Sequence, residues 1–163
     1  MNSAAPSRAA VATALAVVTT SLVLGAASPA SAATAKSKAL TTAAAQKGDA
    51  YEYGATGPDR FDCSGLTQYA YKKAGKSIPR VAQAQYSASK QISWRSRQKG
   101  DLVAIGSNKR DIEHVGLYAG YWSGASWYWH APKPGQKVQL SKIKYSIYSG
   151  VSAYYGQFNG QAR

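Results

Sequence analysis

The hydrophobic and polar positions along the chain fall into three stretches with different periods. The first is uncharged and rich in Ala, Val and Leu, running from Ala9 to Ala27, with Arg8 before it and Ala30-Ser31-Ala32 after it. A basic start, an apolar middle and a small-residue end are the three parts of a secretory signal peptide. Thr13, Thr19, Thr20 and Ser21 weaken this run as a membrane span, which takes about 20 apolar residues. Residues 1–32 are therefore expected to be a signal peptide cut after Ala32, followed by a short leader over 33–37 and a folded domain over 38–158. Residues 159–163 form a tail.

From Ser37 the period becomes helical. Ser37 is a candidate cap, Leu40, Ala43 and Ala44 share a face, and Gly48 is a stop. The segment 49–62 is dense in Gly, Pro and Asp and reads as loop. A second helix is predicted from about Ser64 to Ala74, with Leu66, Tyr69 and Ala70 as its apolar stripe. Lys72 and Lys73 sit in its last turn, where the helix dipole favours cations. A short helix is predicted around Val81–Ser89.

After Gly100 the period shortens to two. The runs at 101–106, 114–120, 126–131, 137–140 and 151–158 are rich in β-branched and aromatic residues and separated by Gly, Ser, Asn or Pro. They predict about five strands of a largely antiparallel sheet. Helices first and strands afterwards give an α+β domain, with no internal repeat and no second domain.

Charge changes this picture by pointing to a partner. The formal net charge is +13, and Arg8 is the only charged side chain in residues 1–32. So basic a domain is drawn to polyanions. Export makes anionic wall polymers and lipid head groups the relevant ones. The cations are scattered rather than gathered in an arm, and no nucleic-acid motif is present. No nucleic-acid partner and no stable membrane insertion after cleavage are expected, and the domain is taken to act as a monomer. The twelve Tyr and four Trp read mainly as packing on the sheet.

The chain has one Cys and two His. Without an internal disulfide, an exported domain must stand on its hydrophobic core. A lone thiol accompanied by His elsewhere in the chain is a candidate nucleophile. Cys63 lies where the Gly-rich loop meets the second helix. If Asp62 is the N-cap, unpaired N–H groups and the positive end of the helix dipole stand beside the sulfur. Such surroundings favour the thiolate, although the Asp62 charge opposes it. His114 opens one predicted strand and His130 ends the next. Strand alternation puts His114, Gly116 and Tyr118 on one side, and His130 with Tyr128 on one side opposite Trp129. In a hairpin the two imidazoles come within reach of each other, one as a base and one orienting it. The alternative of an inert buried Cys and two packed His stays open at this point. A metal site is disfavoured, because neither His-Glu-x-x-His nor Cys-x-x-Cys occurs.

The run Tyr51-Glu52-Tyr53-Gly54, continuing through Phe61-Asp62-Cys63-Ser64-Gly65-Leu66, resembles the nucleophile motif of the NlpC (NlpC/p-sixty) family of papain-like cysteine peptidases of peptidoglycan. Ile78-Pro79-Arg80, Gly100-Asp101-Leu102-Val103, His114-Val115-Gly116-Leu117-Tyr118-Ala119-Gly120 and His130-Ala131-Pro132 follow in the family's order. The resemblance implies a papain-like fold, with helices carrying the nucleophile packed on an antiparallel sheet. It also implies Cys63 as nucleophile, His114 as base, His130 as the third member, Tyr51 at the oxyanion, and Asp62 and Ser64 lining the groove for the stem peptide. It implies no metal and no organic cofactor. The implied activity is that of a secreted, wall-associated endopeptidase cutting between D-glutamate, through its γ-carboxyl, and a diamino acid. An amidase or acyltransferase on the same scaffold, or an inactive basic wall-binding protein, are the alternatives. Two departures stand out. Ala55 replaces a common second Gly, and His114 and His130 are 16 residues apart in the chain, a longer connection than usual in the family.

Overall fold

The computed structural model describes residue 1, residues 29–143 and residues 150–158. The apolar run over 9–27 and the tail over 159–163 lie outside the described residues. Among those described, no helix is long and apolar enough to cross a membrane.

In chain order the elements are helix α1 (Pro29–Ala45), strands β1 (Ala50–Tyr51) and β2 (Arg60–Phe61), and helices α2 (Cys63–Lys73) and α3 (Ala82–Ala88). Strand β3 (Lys90–Ile92) and a 3-10 turn at Trp94–Ser96 come next. The chain then forms β4 (Leu102–Asn108), β5 (Asp111–Trp122), β6 (Ala125–His130), β7 (Gln139–Lys142) and β8 (Ser152–Gln157). Strands β3 to β8 make one sheet in the order β3-β8-β4-β5-β6-β7, antiparallel throughout, while β1 and β2 form a separate short parallel pair.

The sheet thus has one strand more than the five expected from sequence. The addition is β3, three residues of Lys-Gln-Ile on the sheet edge. It is too short and too polar to show a period, and its exposed Lys90 is the kind of residue that blunts an open edge.

Helix α1 begins eight residues before Ser37. Pro29 stands at its first position, where a missing N–H costs nothing, and nothing in the Ala-rich turns that follow breaks it. Ser37 is therefore an exposed mid-helix residue rather than a cap. The expected leader over 33–37 is helical and partly packed. Lys36 is buried, with its Nζ 3.0 Å from the buried Asp101 carboxylate and donating to Gln98 Oε1 at 2.7 Å. The folded domain consequently starts earlier than Lys38.

The main core lies between the helices and the sheet. Ala39 and Ala43 of α1, Leu66, Ala70 and Tyr71 of α2, and Val115 and Leu117 of β5 are all fully buried in it. Each large side chain withdrawn from water there is worth roughly 1.5–3 kcal/mol. Tyr71 keeps its hydroxyl satisfied by donating to the Gly100 carbonyl at 2.7 Å. The alternation expected along β5 holds as far as Tyr118. That residue packs with Val103, Tyr128 and Tyr155 in a second cluster, and a register shift follows between Tyr118 and Gly120.

Candidate active site

The site is built where the start of α2 meets the first half of β5. Asp62 is the N-cap of α2 in extended conformation, and its Oδ1 accepts from the Gly65 N–H at 2.7 Å. This leaves Cys63 as the first helical residue, one position before the predicted start at about Ser64 and as expected for Asp62 in the N-cap. Gly65 is needed for that turn, because a Cβ there would stand 2.0 Å from the Ala55 carbonyl oxygen. The preceding loop therefore lies directly on the helix start, and its Ala55 carbonyl accepts from the Asp62 N–H at 3.0 Å.

Asp62 also fixes the wall of the cleft. Its Oδ2 accepts from the Gly54 N–H at 2.9 Å, and the Arg80 guanidinium donates to both carboxylate oxygens, at 2.5 and 3.0 Å. Burial works to raise the Asp62 carboxyl, but the hydrogen bonds from Arg80, Gly65 and Gly54 outweigh it and hold it below its usual range. Arg80 further donates to Ser64 Oγ at 2.8 Å. With its oxygens taken up by protein donors, Asp62 meets anything in the cleft chiefly through Arg80.

Cys63 is half-buried. Burial pushes its thiol above the ordinary range, hydrogen bonding from the Val115 backbone pulls it down, and the Asp62 charge raises it again. The net direction is upward, so the helix start does not make a thiolate unaided. The Val115 contact ties the sulfur to the residue next to His114 on β5. Tyr51, from the short strand β1, stands on the same open cleft of about 490 Å³, with Asp62, Cys63, Ser64 and Arg80. Burial first, and then the nearness of Cys63 and Asp62, raise its hydroxyl above the ordinary tyrosine range, so it stays protonated.

The two histidines meet as expected. His114 Nε2 and His130 Nδ1 are 2.8 Å apart, with the rings nearly perpendicular. Tyr128 holds both, stacked on His130 at 4.2 Å between centroids and edge-on to His114 at 6.2 Å. Beyond His130, its Nε2 lies 2.9 Å from Ser141 Oγ on β7. Burial pushes His114 down to about 4. Burial and the His114 charge push His130 down to about 3. At neutral pH both imidazoles are uncharged.

Gly116 makes this approach possible. A Cβ at that position would lie 2.5 Å from the Trp129 carbonyl oxygen and 3.0 Å from His130 Cβ. A family model described as the NlpC/P60 family matches residues 31–154, nearly all of the described chain. The chain belongs to the NlpC/P60 family. A probable endopeptidase of Corynebacterium glutamicum is 47% identical over 85 residues, covering 52% of this chain and 39% of that protein. The probable endopeptidase p60 of Listeria monocytogenes is 48% identical over 80 residues, covering 48% of this chain and 16% of that protein. The chain thus matches under two-fifths of the length of these relatives.

Among solved NlpC/P60-like structures, the P60 domain of the antigen MAP1204 from M. avium subspecies paratuberculosis aligns with a TM-score of 0.66. It is 26% identical and covers 78% of this chain and 97% of that one. The peptidoglycan hydrolase RipB of Mycobacterium tuberculosis aligns at 0.65, is 28% identical, and covers 80% of this chain and 68% of that one. The papain-like α+β architecture of this NlpC/P60 domain accords with both.

Three residues that frame the site are absent from the sequence-based candidates. Arg80 stands within a matching block, Ile78-Pro79-Arg80, whose partner was not legible. Tyr128 was placed on the side of His130 by alternation alone. Ser141 carried no signal, because its role depends on the register of β7 against β6.

Proposed function

We propose that this NlpC/P60 domain is an exported cysteine endopeptidase of the bacterial wall that hydrolyses the peptide stem of peptidoglycan. The observation that carries this reading is a chain of contacts. The Cys63 sulfur is hydrogen-bonded from the Val115 backbone, His114 is its neighbour on β5, and the His114 ring is hydrogen-bonded to His130. Relatives named as endopeptidases and a fold neighbour named as a peptidoglycan hydrolase support the substrate class.

In this mechanism Cys63 and His114 both begin neutral. His114 takes the thiol proton as sulfur attacks the peptide carbonyl, which avoids the cost of a standing buried ion pair. Tyr51 and backbone N–H groups near Cys63 receive the developing oxyanion. His114 then protonates the leaving amine and activates water to release the thioester. His130 orients His114. Ser64 and Arg80, the latter anchored by Asp62, line the stem-peptide side of the cleft. The bond between the γ-carboxyl of D-glutamate and a diamino acid is the expected target. Residues 1–32 act as the export signal, and the basic surface holds the enzyme to anionic wall polymers.

The test is digestion of purified peptidoglycan with the wild type and with Cys63→Ala, followed by mass spectrometry of the products. Stem fragments ending at D-glutamate are expected from the wild type and none from the variant. Undiminished cleavage by Cys63→Ala removes the assignment. Release of intact stem peptides from glycan identifies an amidase instead.

A further inference from the structure

The polar chain that begins at His114 passes through His130 and ends on a hydroxyl. The His130 ring makes its described hydrogen bonds to His114 on one side and to Ser141 on the other, at 2.8 and 2.9 Å. Ser141 lies opposite Tyr128 in the pairing of β6 with β7, two steps from the His130–Gln139 pair and so on the same face of the sheet. Gln139 Nε2 donates to the same Ser141 Oγ at 3.2 Å.

We propose that Ser141 is a positioning residue that keeps the proton of His130 on Nε2, and so keeps His114 in the one tautomer able to take the thiol proton of Cys63. This rests on the reading of Cys63, His114 and His130 as the reacting set.

A neutral imidazole has one N–H and one lone pair. Two arrangements satisfy both short contacts. In the first, His114 Nε2–H donates to His130 Nδ1, and His130 Nε2–H donates to Ser141 Oγ. His114 Nδ1 then carries a lone pair. In the second, the Ser141 hydroxyl donates to His130 Nε2, and His130 Nδ1–H donates to His114 Nε2. His114 then has its proton on Nδ1 and no basic nitrogen left for sulfur. The first arrangement alone supports catalysis, and it survives proton transfer. The His114 imidazolium still donates Nε2–H to His130 Nδ1, and no proton moves along the chain.

Ser141 is half-buried, and its oxygen has lone pairs for both Gln139 and His130 while its own hydrogen turns elsewhere. Removing the hydroxyl leaves the His130 Nε2–H of the first arrangement without its acceptor. The second arrangement loses the hydroxyl too but is left with only a bare lone pair, and a buried N–H without an acceptor is the costlier orphan, so the balance shifts toward the second arrangement. Both rings are uncharged near neutrality, burial being the main cause, so tautomer rather than charge is the variable at stake.

The experiment uses the full mature chain, with nitrogen-15 NMR of labelled histidine and steady-state kinetics on a purified muropeptide. The wild type should show His130 protonated on Nε2. Ser141→Ala should show a mixture of tautomers, with kcat down about three- to tenfold, the size of one lost hydrogen bond, and KM unchanged. Ser141→Thr, which keeps the hydroxyl, should behave as wild type in both measurements. A wild-type His130 protonated on Nδ1 overturns the proposal without any substitution. An unchanged tautomer or an unchanged kcat in Ser141→Ala also overturns it. Full activity of His130→Ala would instead sink the catalytic reading beneath it, so the two failures are told apart.

Discussion

His114 Nε2 stands 2.8 Å from His130 Nδ1 in a pocket that holds both rings uncharged, His114 titrating at about 4 and His130 at about 3. Two imidazoles in contact cannot both carry a charge cheaply; burial lowers both, and the His114 charge lowers His130 further. The pair works as a neutral base with a neutral orienter.

The acid limb of kcat/KM is therefore expected near pH 4, well below an ordinary histidine at about 6.5. A pH–rate profile on a soluble muropeptide checks this, and an acid limb centred at 6.5 would contradict it. Stability has its own window. Both folded values lie below the unfolded one, so between about 6.5 and 3 the unfolded chain binds more protons than the folded one. The contribution is complete above about pH 6.5 and is lost as pH falls toward 3. Urea midpoints measured at pH 7 and pH 4.5 should show the fall, and the double variant His114→Asn, His130→Asn should flatten it.

Arg80 and Asp62 form a charged pair in the wall of the cleft, and removing one partner strands the other. Arg80→Ala leaves the Asp62 carboxylate, 6% exposed, with backbone donors but without its cation. A loss of about 1–3 kcal/mol is expected, together with a raised KM as the groove wall loosens. Arg80→Lys keeps the charge but not the fork that bridges both carboxylate oxygens and Ser64, and should recover only part of either loss. Thermal midpoints and Michaelis kinetics measure the two effects separately. Wild-type values in Arg80→Ala would show that the pair carries neither role.

Much of this arrangement was legible because its signals are local. The N-cap Asp62, the start of α2 at Cys63 and the two His on consecutive strands each follow from spacing and period within a few residues. The parts that were not legible are contacts between segments distant in the chain. Lys36 reads as a leader residue until Asp101, 65 positions on, is brought beside it. Ser141 is one of many hydroxyls until β7 registers against β6. Strand β3 has too few residues to show a period, and its existence is decided by the edge that β8 offers it.

Gln85 belongs to this second kind. Fully buried, it donates to the Ser64 and Pro79 carbonyls at 2.8 and 2.9 Å and accepts from Thr67 Oγ1 at 2.6 Å. It thereby ties α3 to the first turn of α2, just behind the nucleophile. Gln85→Leu is close in volume but strips the Pro79 carbonyl of its side-chain donor and leaves the Ser64 carbonyl to the Thr67 hydroxyl, 2.9 Å away. A loss of about 2–3 kcal/mol is expected, read as a lower urea midpoint with unchanged slope. A variant as stable as the wild type would mean that those groups find other partners.

Gly116 gives the sharpest separation of fold from function. Its missing Cβ lets β6 pass close enough for the Trp129 carbonyl, the Tyr128 ring and His130 Cβ to crowd the same space, at 2.5, 2.6 and 3.0 Å from where that carbon would be. In Gly116→Ala the strands must part locally, and the first of these contacts is with backbone, which cannot swing aside. Overpacking of this kind costs about 1–3 kcal/mol, which a domain of this size can survive. The displacement falls on His130 and, through it, on the His114 ring, and a shift of about 1 Å in a reacting group can cost about a hundredfold in rate. Gly116→Ala should therefore keep a cooperative unfolding transition while kcat falls about a hundredfold. Comparing its Tm and kcat with those of the wild type checks both halves, and a folded variant with wild-type kcat would show that the close approach of β5 and β6 is not what sets the imidazole pair.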